Sequence, residues 1–257
     1  MSHISFSELK VWNDCPHKHK LQYIDKNKVF TSTEYTCFGT AIHETCEKSL
    51  LKEIKEEQHS EYFETKFKEE LKVLDGQIKV NQDLVDDMVQ QGKEILSELY
   101  KSLNDYLDGY EVVATEQPLF ERIQNLDFDY DFKGFIDLVL KTPDGKYHII
   151  DFKTCSFGWK ADKKSDPMVV YQLTYYKHFY AQKFNIDPDM IETHFVLLKR
   201  TVKKNRVECF KVTNGKVRTE NAILLLKKAT SAIQNKKYIK NRLSCNDCCF
   251  YKTELCK

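Results

Sequence analysis

Residues 134–154, GFIDLVLKTPDGKYHIIDFKT, restrict the fold of this chain more than any other stretch. Two short apolar runs flank a Pro-Asp-Gly turn, the pattern of a β-hairpin. Each run carries an acid where a strand would ordinarily bury Val or Ile: Asp137 in the first and Asp151 in the second. With the turn centred on Asp144, residue 142 faces 146, and counting outward sets Asp137 opposite Asp151. Side chains alternate along a strand, so Asp151 and Lys153 share a face and Phe152 points to the other. Like charges facing each other on a sheet repel, and desolvating them adds to the cost. A cation removes both objections. Oxygen ligands of this kind suit Mg²⁺ or Mn²⁺ rather than zinc, and Lys153 would then stand beside a water or phosphate at the ion. The plainer alternative is a half-exposed hairpin with a solvated polar face.

The hydropathy pattern frames this hairpin. The start carries Ser5-x-x-Glu8, a capping box, opening a short helix that ends near Cys15-Pro16. Helical periodicity covers 38–57, with Ile42, Cys46, Ser49 and Leu50 on one stripe, then 60–73 and 81–107. From 110 the period changes to strands over 110–123, the following LDFDYDFKG, FIDLVLK and YHIIDFKT. A helix at about 167–184, strands near 192–199 and 206–212, and a helix near 218–236 complete the order. The expectation is an α/β domain with a mixed central sheet flanked by helices. It forms one unit over 1–257: a mainly helical part (1–109), a catalytic sheet with helices (110–243) and a cysteine cluster (244–257) that closes onto Cys15.

Charge and cysteine usage narrow the class. Residues 51–116 hold 17 acids against 8 Lys/Arg, whereas 195–243 hold 14 Lys/Arg against 2 acids. A basic C-terminal third on a chain of net charge +1 fits a nucleic-acid track or a solvated helix face. No run approaches the ~20 apolar residues of a membrane span. The opening MSHISFSELK lacks the apolar core of a secretion signal, so the expected setting is cytoplasmic, with no membrane partner. Nine cysteines there imply reduced thiols or metal ligation rather than a disulfide framework. Cys245, Cys248, Cys249 and Cys256 fall within 12 residues, and Cys15 waits near the other end. Three terminal thiolates and Cys15 could clip the chain ends around zinc or an iron–sulfur cluster; His17 and His19 beside Cys15 keep zinc open.

Other residues stand out by position. Glu116 lies inside the first strand of the meander and reads as a metal ligand, a general base or an ordinary strand-end Glu. His43 follows Gly39-Thr40 on the early helix; a lone His there reads first as a helix residue. Gln172 and Tyr176 share a helix face at i and i+4.

Taken in order, these pieces resemble the PD-(D/E)XK nucleases with their restriction-endonuclease-like core. Within them they resemble the RecB-family exonucleases that carry an iron–sulfur cluster, including CRISPR-associated members and the AddB nuclease domain. The resembling parts are Cys15-Pro16, the Gly39–His43 helix, Glu116, GFIDLV with Asp137, IIDFKT with Asp151 and Lys153, Gln172-x-x-x-Tyr176, and the terminal cysteines. The resemblance implies that His43, Asp137, Asp151 and the Phe152 carbonyl ligate Mg²⁺ or Mn²⁺. It further implies catalytic roles for Asp137, Asp151, Lys153 and Glu116, and a DNA path lined by Gln172 and Tyr176. Cys15, Cys245, Cys248 and Cys256 would bind a 4Fe–4S cluster. Seven residues separate Cys248 from Cys256, a wider gap than the family's usual one, so Cys249 is an alternative to Cys248. No Walker Gly-Lys-Thr/Ser occurs, which implies a nuclease without its own motor. The implied activity is metal-dependent exonucleolytic hydrolysis of DNA ends or single strands in phage or prokaryotic replication, recombination or repair. A non-catalytic nucleic-acid-binding module and an endonuclease are the alternatives; oligomeric state is not legible.

Overall fold

The hairpin turn sets the register on which the rest of the sheet is built. Gly145 adopts φ +85°, where a side chain would be strained, and the Thr142 amide donates to the Lys146 carbonyl at 3.0 Å. The strands on either side, β3 (Asp131–Lys141) and β4 (Tyr147–Cys155), then pair antiparallel from Lys141↔Tyr147 to Leu138↔Ile150. This is the register expected from the sequence. The ladder stops there, one step short of Asp137 and Asp151. The structure, a computed structural model, describes residues 2–27, 29 and 32–257.

Around this hairpin the sheet is mixed. Strand β2 (Glu111–Arg122) runs antiparallel along the whole of one edge of β3. Strand β1 (His3–Ser5) lies parallel to Asp131–Lys133. Because β2 already occupies one edge of those residues, β1 and β4 share the other. A fork therefore opens between them at Gly134–Asp137. Strand β5 (Ile191–Lys199) is parallel to β4, and β6 (Val207–Lys211) is antiparallel to β5. A parallel neighbour needs a crossover, which here runs through α6 (Ala161–Ser165) and α7 (Pro167–Phe184).

Helices cover both faces. On one face α1 (Phe6–Asp14), α7 and α8 (Lys216–Gln234) bury Leu9, Leu173, Tyr175, Phe179 and Leu226 against Phe132, Ile149 and Phe195. On the other, α3 (Glu34–Leu50), α4 (His59–Leu71) and α5 (Gln82–Tyr106) bury Phe38, Ile42, Phe67 and Leu99 against Leu140, Ile150, Phe152 and Val196. The short α2 (Pro16–His19) follows Cys15. Each fully buried apolar side chain contributes roughly 1.5–3 kcal/mol, so both layers are needed to hold the sheet. Helices α4 and α5 approach so closely that a Cβ on Gly92 would meet the Phe63 ring at 2.1 Å.

Local chemistry explains the helix limits. Thr33 and Thr36 form a reciprocal capping box at the start of α3, Asn81 caps α5, and Asp166 caps α7 ahead of Pro167 at its first position. The expected helix over 38–57 is displaced: α3 starts at Glu34 and ends at Leu50. Lys52 takes φ +58°, which ends the helix before the charged run that follows. The Ser5-x-x-Glu8 box is half formed. Ser5 accepts from the Glu8 amide at 3.2 Å, while the Glu8 carboxylate turns instead to His19 at 2.7 Å. Among the described residues no helix is long and apolar enough to cross a membrane.

Candidate active site

The fork between β3 and β4 brings the acids together. Asp137 accepts a hydrogen bond from the Phe152 amide at 2.8 Å, so its side chain occupies the place of a missing ladder bond. Ile136 and Val139 both join the same apolar cluster although three residues apart. The strand's alternation breaks between them, and Asp137 sits in the break. On the far side of β3, Thr115 pairs with Leu138 and Gln117 with Ile136, which puts Glu116 across from Asp137. Glu116 takes φ +44°, a left-handed conformation that is strained for a non-glycine residue inside a strand. Glu116, Asp137 and Asp151 thus lie on one rung of three adjacent strands.

Helix α3 reaches the rung from one face and α7 from the other. His43 Nδ1 stands 3.6 Å from Asp137 Oδ2, and its ring meets Phe152 edge-on. Lys153 places Nζ 2.5 Å from Asp151 Oδ2, yet neither Asp151 oxygen receives a directed hydrogen bond, and the residue is 1% exposed. On α7, Gln172 donates to the Tyr176 hydroxyl at 3.1 Å. The Tyr176 ring lies so close to Gly134 that a Cβ there would come within 2.8 Å of it. Tyr176 is only 5% exposed. Its ring therefore cannot offer a stacking face to an unpaired base. Its hydroxyl edge and Gln172 instead line a groove of about 400 Å³ with His3, Ser5, Lys133 and Phe135.

The electrostatics follow from burial. Desolvation raises both Asp137 and Asp151 to about 6, although Lys153 pulls each back down. The same burial lowers His43 to about 4 and keeps its imidazole neutral, the form that ligates metal. Glu47, one turn after His43 on α3, is held well above the usual carboxylate range by burial and by a shared hydrogen bond with Glu116. Sequence reasoning missed Glu47. The signal was its i+4 spacing from His43, which puts both on one helix face. Three carboxylates, of Glu47, Glu116 and Asp137, around the buried, unsatisfied Asp151 form a donor set that fits a hard divalent cation.

The terminal cysteines gather separately. Cys15, Cys245, Cys248 and Cys256 line one cavity of about 280 Å³, together with His17. Cys249 is exposed and does not line it, and all nine cysteines are free thiols. His19 is engaged by Glu8. The basic segment is partly neutralised within the fold: Lys199 pairs with Glu208 at 2.9 Å, Lys211 with Glu192 at 2.8 Å, and Arg206 with Glu94. Part of the sequence asymmetry is thus a set of internal ion pairs rather than a free track.

A mixed sheet forked at a pair of acids, with a lysine two residues past the second and helices on both faces, defines a restriction-endonuclease-like nuclease fold. The chain belongs to the PD-(D/E)XK nuclease superfamily, whose family profile matches residues 3–253. Nuclease chemistry, a nucleic-acid partner and, typically, dependence on divalent metal come with that membership. The fold is similar to the crystal structure of a candidate exonuclease from Eubacterium rectale, with a TM-score of 0.59 and 13% identity over 100% of this chain and 90% of that one. The crystal structure of SSO0001 aligns at a TM-score of 0.46 and 14% identity over 97% and 84%. No curated protein sequence matches the chain.

Proposed function

We propose that the protein is a metal-dependent DNA exonuclease that hydrolyses phosphodiester bonds at DNA ends or in single strands. The observation that carries this reading is the rung of Glu116, Asp137 and Asp151 at the fork, with Lys153 beside Asp151. The exonuclease reading also draws on the likeness to the Eubacterium rectale protein's fold, which by itself speaks to architecture alone.

His43, Asp137, Asp151 and the Phe152 carbonyl would hold Mg²⁺ or Mn²⁺, and Glu116 extends the set. When bound, such an ion neutralises phosphate charge and lowers the pKa of water. Lys153 Nζ, on the same face of β4 as Asp151, donates to the attacking water or to a phosphate oxygen as charge develops there. Glu116 accepts the proton that the water sheds. The Phe152 amide fixes the Asp137 carboxylate, so its orientation does not depend on the ion. Gln172 and the Tyr176 hydroxyl steer the strand along the groove by contacts to phosphate and sugar, which position without reading sequence.

Cys15, Cys245, Cys248 and Cys256 would hold a 4Fe–4S cluster that clips the chain ends together. The shared cavity supports this set over one with Cys249. The proposed setting is cytoplasmic replication, recombination or repair, with the whole of 1–257 acting as one nuclease unit.

The test is incubation of purified protein with end-labelled single- and double-stranded DNA and with closed circular DNA, in Mg²⁺ or Mn²⁺, alongside Lys153→Ala. Cleavage of linear DNA alone, lost in the variant, is expected. Cutting of the circle indicates an endonuclease. Salt-sensitive binding without cleavage of any substrate overturns the enzyme reading in favour of a binding module.

A further inference from the structure

The far end of the hairpin carries a second group of donors that the nuclease chemistry does not use. His148 on β4 and His194 on β5 face each other with Nδ1 and Nε2 3.0 Å apart. Glu192 is the register partner of His148, and one donor atom from each of the three lies within 4.8 Å of the others. His148 is three residues from Asp151, about 10 Å along the strand. It also points to the opposite face: Ile149 packs with the α7 layer and Ile150 with the α5 layer. The group is therefore separate from the fork.

We propose that His148, His194 and Glu192 form a second, transition-metal site of the zinc class, closed by one solvent ligand. Two imidazoles and a carboxylate are a donor set for Zn²⁺, Co²⁺ or Ni²⁺ rather than Mg²⁺. Two nitrogens bound to one tetrahedral zinc stand about 3.3 Å apart, given Zn–N of roughly 2.0–2.1 Å, so the pair needs to open by only a few tenths of an ångström.

The outer partners are also in place. A ligating imidazole needs its second nitrogen held by a hydrogen bond. Thr142 Oγ1 lies 2.9 Å from His148 Nε2, and Tyr106 Oη lies 2.9 Å from His194 Nδ1. Thr142 gives its own proton to Asp144 at 2.5 Å, leaving its oxygen to accept from His148 Nε2–H. His148 Nδ1 then carries a lone pair. His194 offers a lone pair at Nε2 once its proton sits on Nδ1, where the Tyr106 oxygen accepts it. Burial favours the neutral form of both rings.

Access comes through Glu192, whose side chain is 20% exposed. Lys146 and Lys211 approach it at 3.6 and 2.8 Å, but both reach the same oxygen, Oε1. Oε2 is left for a metal. Filled, the site would clasp β4 to β5 and tie both to the end of α5 through Tyr106.

The probe is Co²⁺ titrated into the cluster-loaded protein in an Asp151→Asn background, which disables the fork. The readouts are difference d–d absorption against the metal-free sample and the thermal midpoint. One equivalent of Co²⁺ with nitrogen/oxygen-type bands is expected in that background. It should be absent when His194→Gln or Glu192→Gln is added, the second of which leaves the buried pair intact. Tyr106→Phe should weaken binding by about tenfold, since it removes only the outer hydrogen bond. Zn²⁺ should raise the midpoint of Asp151→Asn and not of Asp151→Asn with Glu192→Gln. Unchanged Co²⁺ bands on adding Glu192→Gln and His194→Gln, or no such bands in Asp151→Asn, overturn the proposal. The histidine pair would then be a hydrogen-bonded strut between strands.

Discussion

The Phe152 amide donates to the Asp137 carboxylate at 2.8 Å, at the step where β3 and β4 cease to pair. One hydrogen bond thus ends the ladder and fixes an acid. The neighbouring Asp151 receives no directed hydrogen bond and has only the ammonium of Lys153 beside it. From this asymmetry the behaviour of the site follows.

Lys153 competes with a cation for Asp151. Replacing it by Ala should lower turnover by about 100-fold or more, the scale of a lost transition-state donor. Mn²⁺ affinity, measured calorimetrically on the same variant, should hold or tighten. Loss of Mn²⁺ binding together with activity would mean that Lys153 organises the ion site rather than the reaction.

Asp137 and Asp151 are raised to about 6 from an ordinary carboxylate value near 4. Metal must displace their protons, so Mn²⁺ affinity should climb between pH 5 and pH 7 and flatten above. In the metal-free protein the sign is reversed for stability. Both acids hold protons more tightly folded than unfolded, so their contribution falls as pH rises from about 4 through about 6. Asp151→Asn should therefore raise the metal-free thermal midpoint at pH 8 by about 2–4 °C, the shift expected for roughly 1 kcal/mol in a chain of this size. At pH 4 it should leave the midpoint nearly unchanged.

Gly92 allows α5 to lie against the Phe63 ring, with no room for a Cβ. Gly92→Ala should cost about 1–3 kcal/mol by overpacking, read by urea denaturation. Phe63→Leu in the same chain should recover part of that loss, because the two changes share one contact.

Cys248 lines the terminal cavity and Cys249 is exposed outside it. After anaerobic reconstitution, Cys248→Ser should lose the iron–sulfur absorption, whereas Cys249→Ser should keep it. The opposite pattern would reassign the ligand.

Much of this was legible along the chain because it rests on local rules. The Pro-Asp-Gly turn determines the β3–β4 register by backbone geometry, so the near approach of Asp137 and Asp151 could be counted out from Asp144. Helical periodicity located α4, α5, α7 and α8 to within a few residues. The ordered pieces from the Gly39–His43 helix to Gln172 and Tyr176 resembled the superfamily to which the chain belongs.

What only the tertiary structure decided involves contacts between distant segments. That β1 shares an edge of β3 with β4, and so opens the fork, depends on a pairing between residues 3–5 and 131–133 that no local pattern carries. Glu47 joins the site because α3 packs over that fork, and a helix's own periodicity does not say what lies beneath it. Tyr176 turned out to be covered because Gly134 leaves room for its ring. The pairing of His148 with His194 and Glu192 exists only once β4 and β5 lie parallel. Sequence spacing sets which side chains share a face; only packing determines which faces meet, and desolvation at those meetings is what shifts the charges on which the chemistry depends.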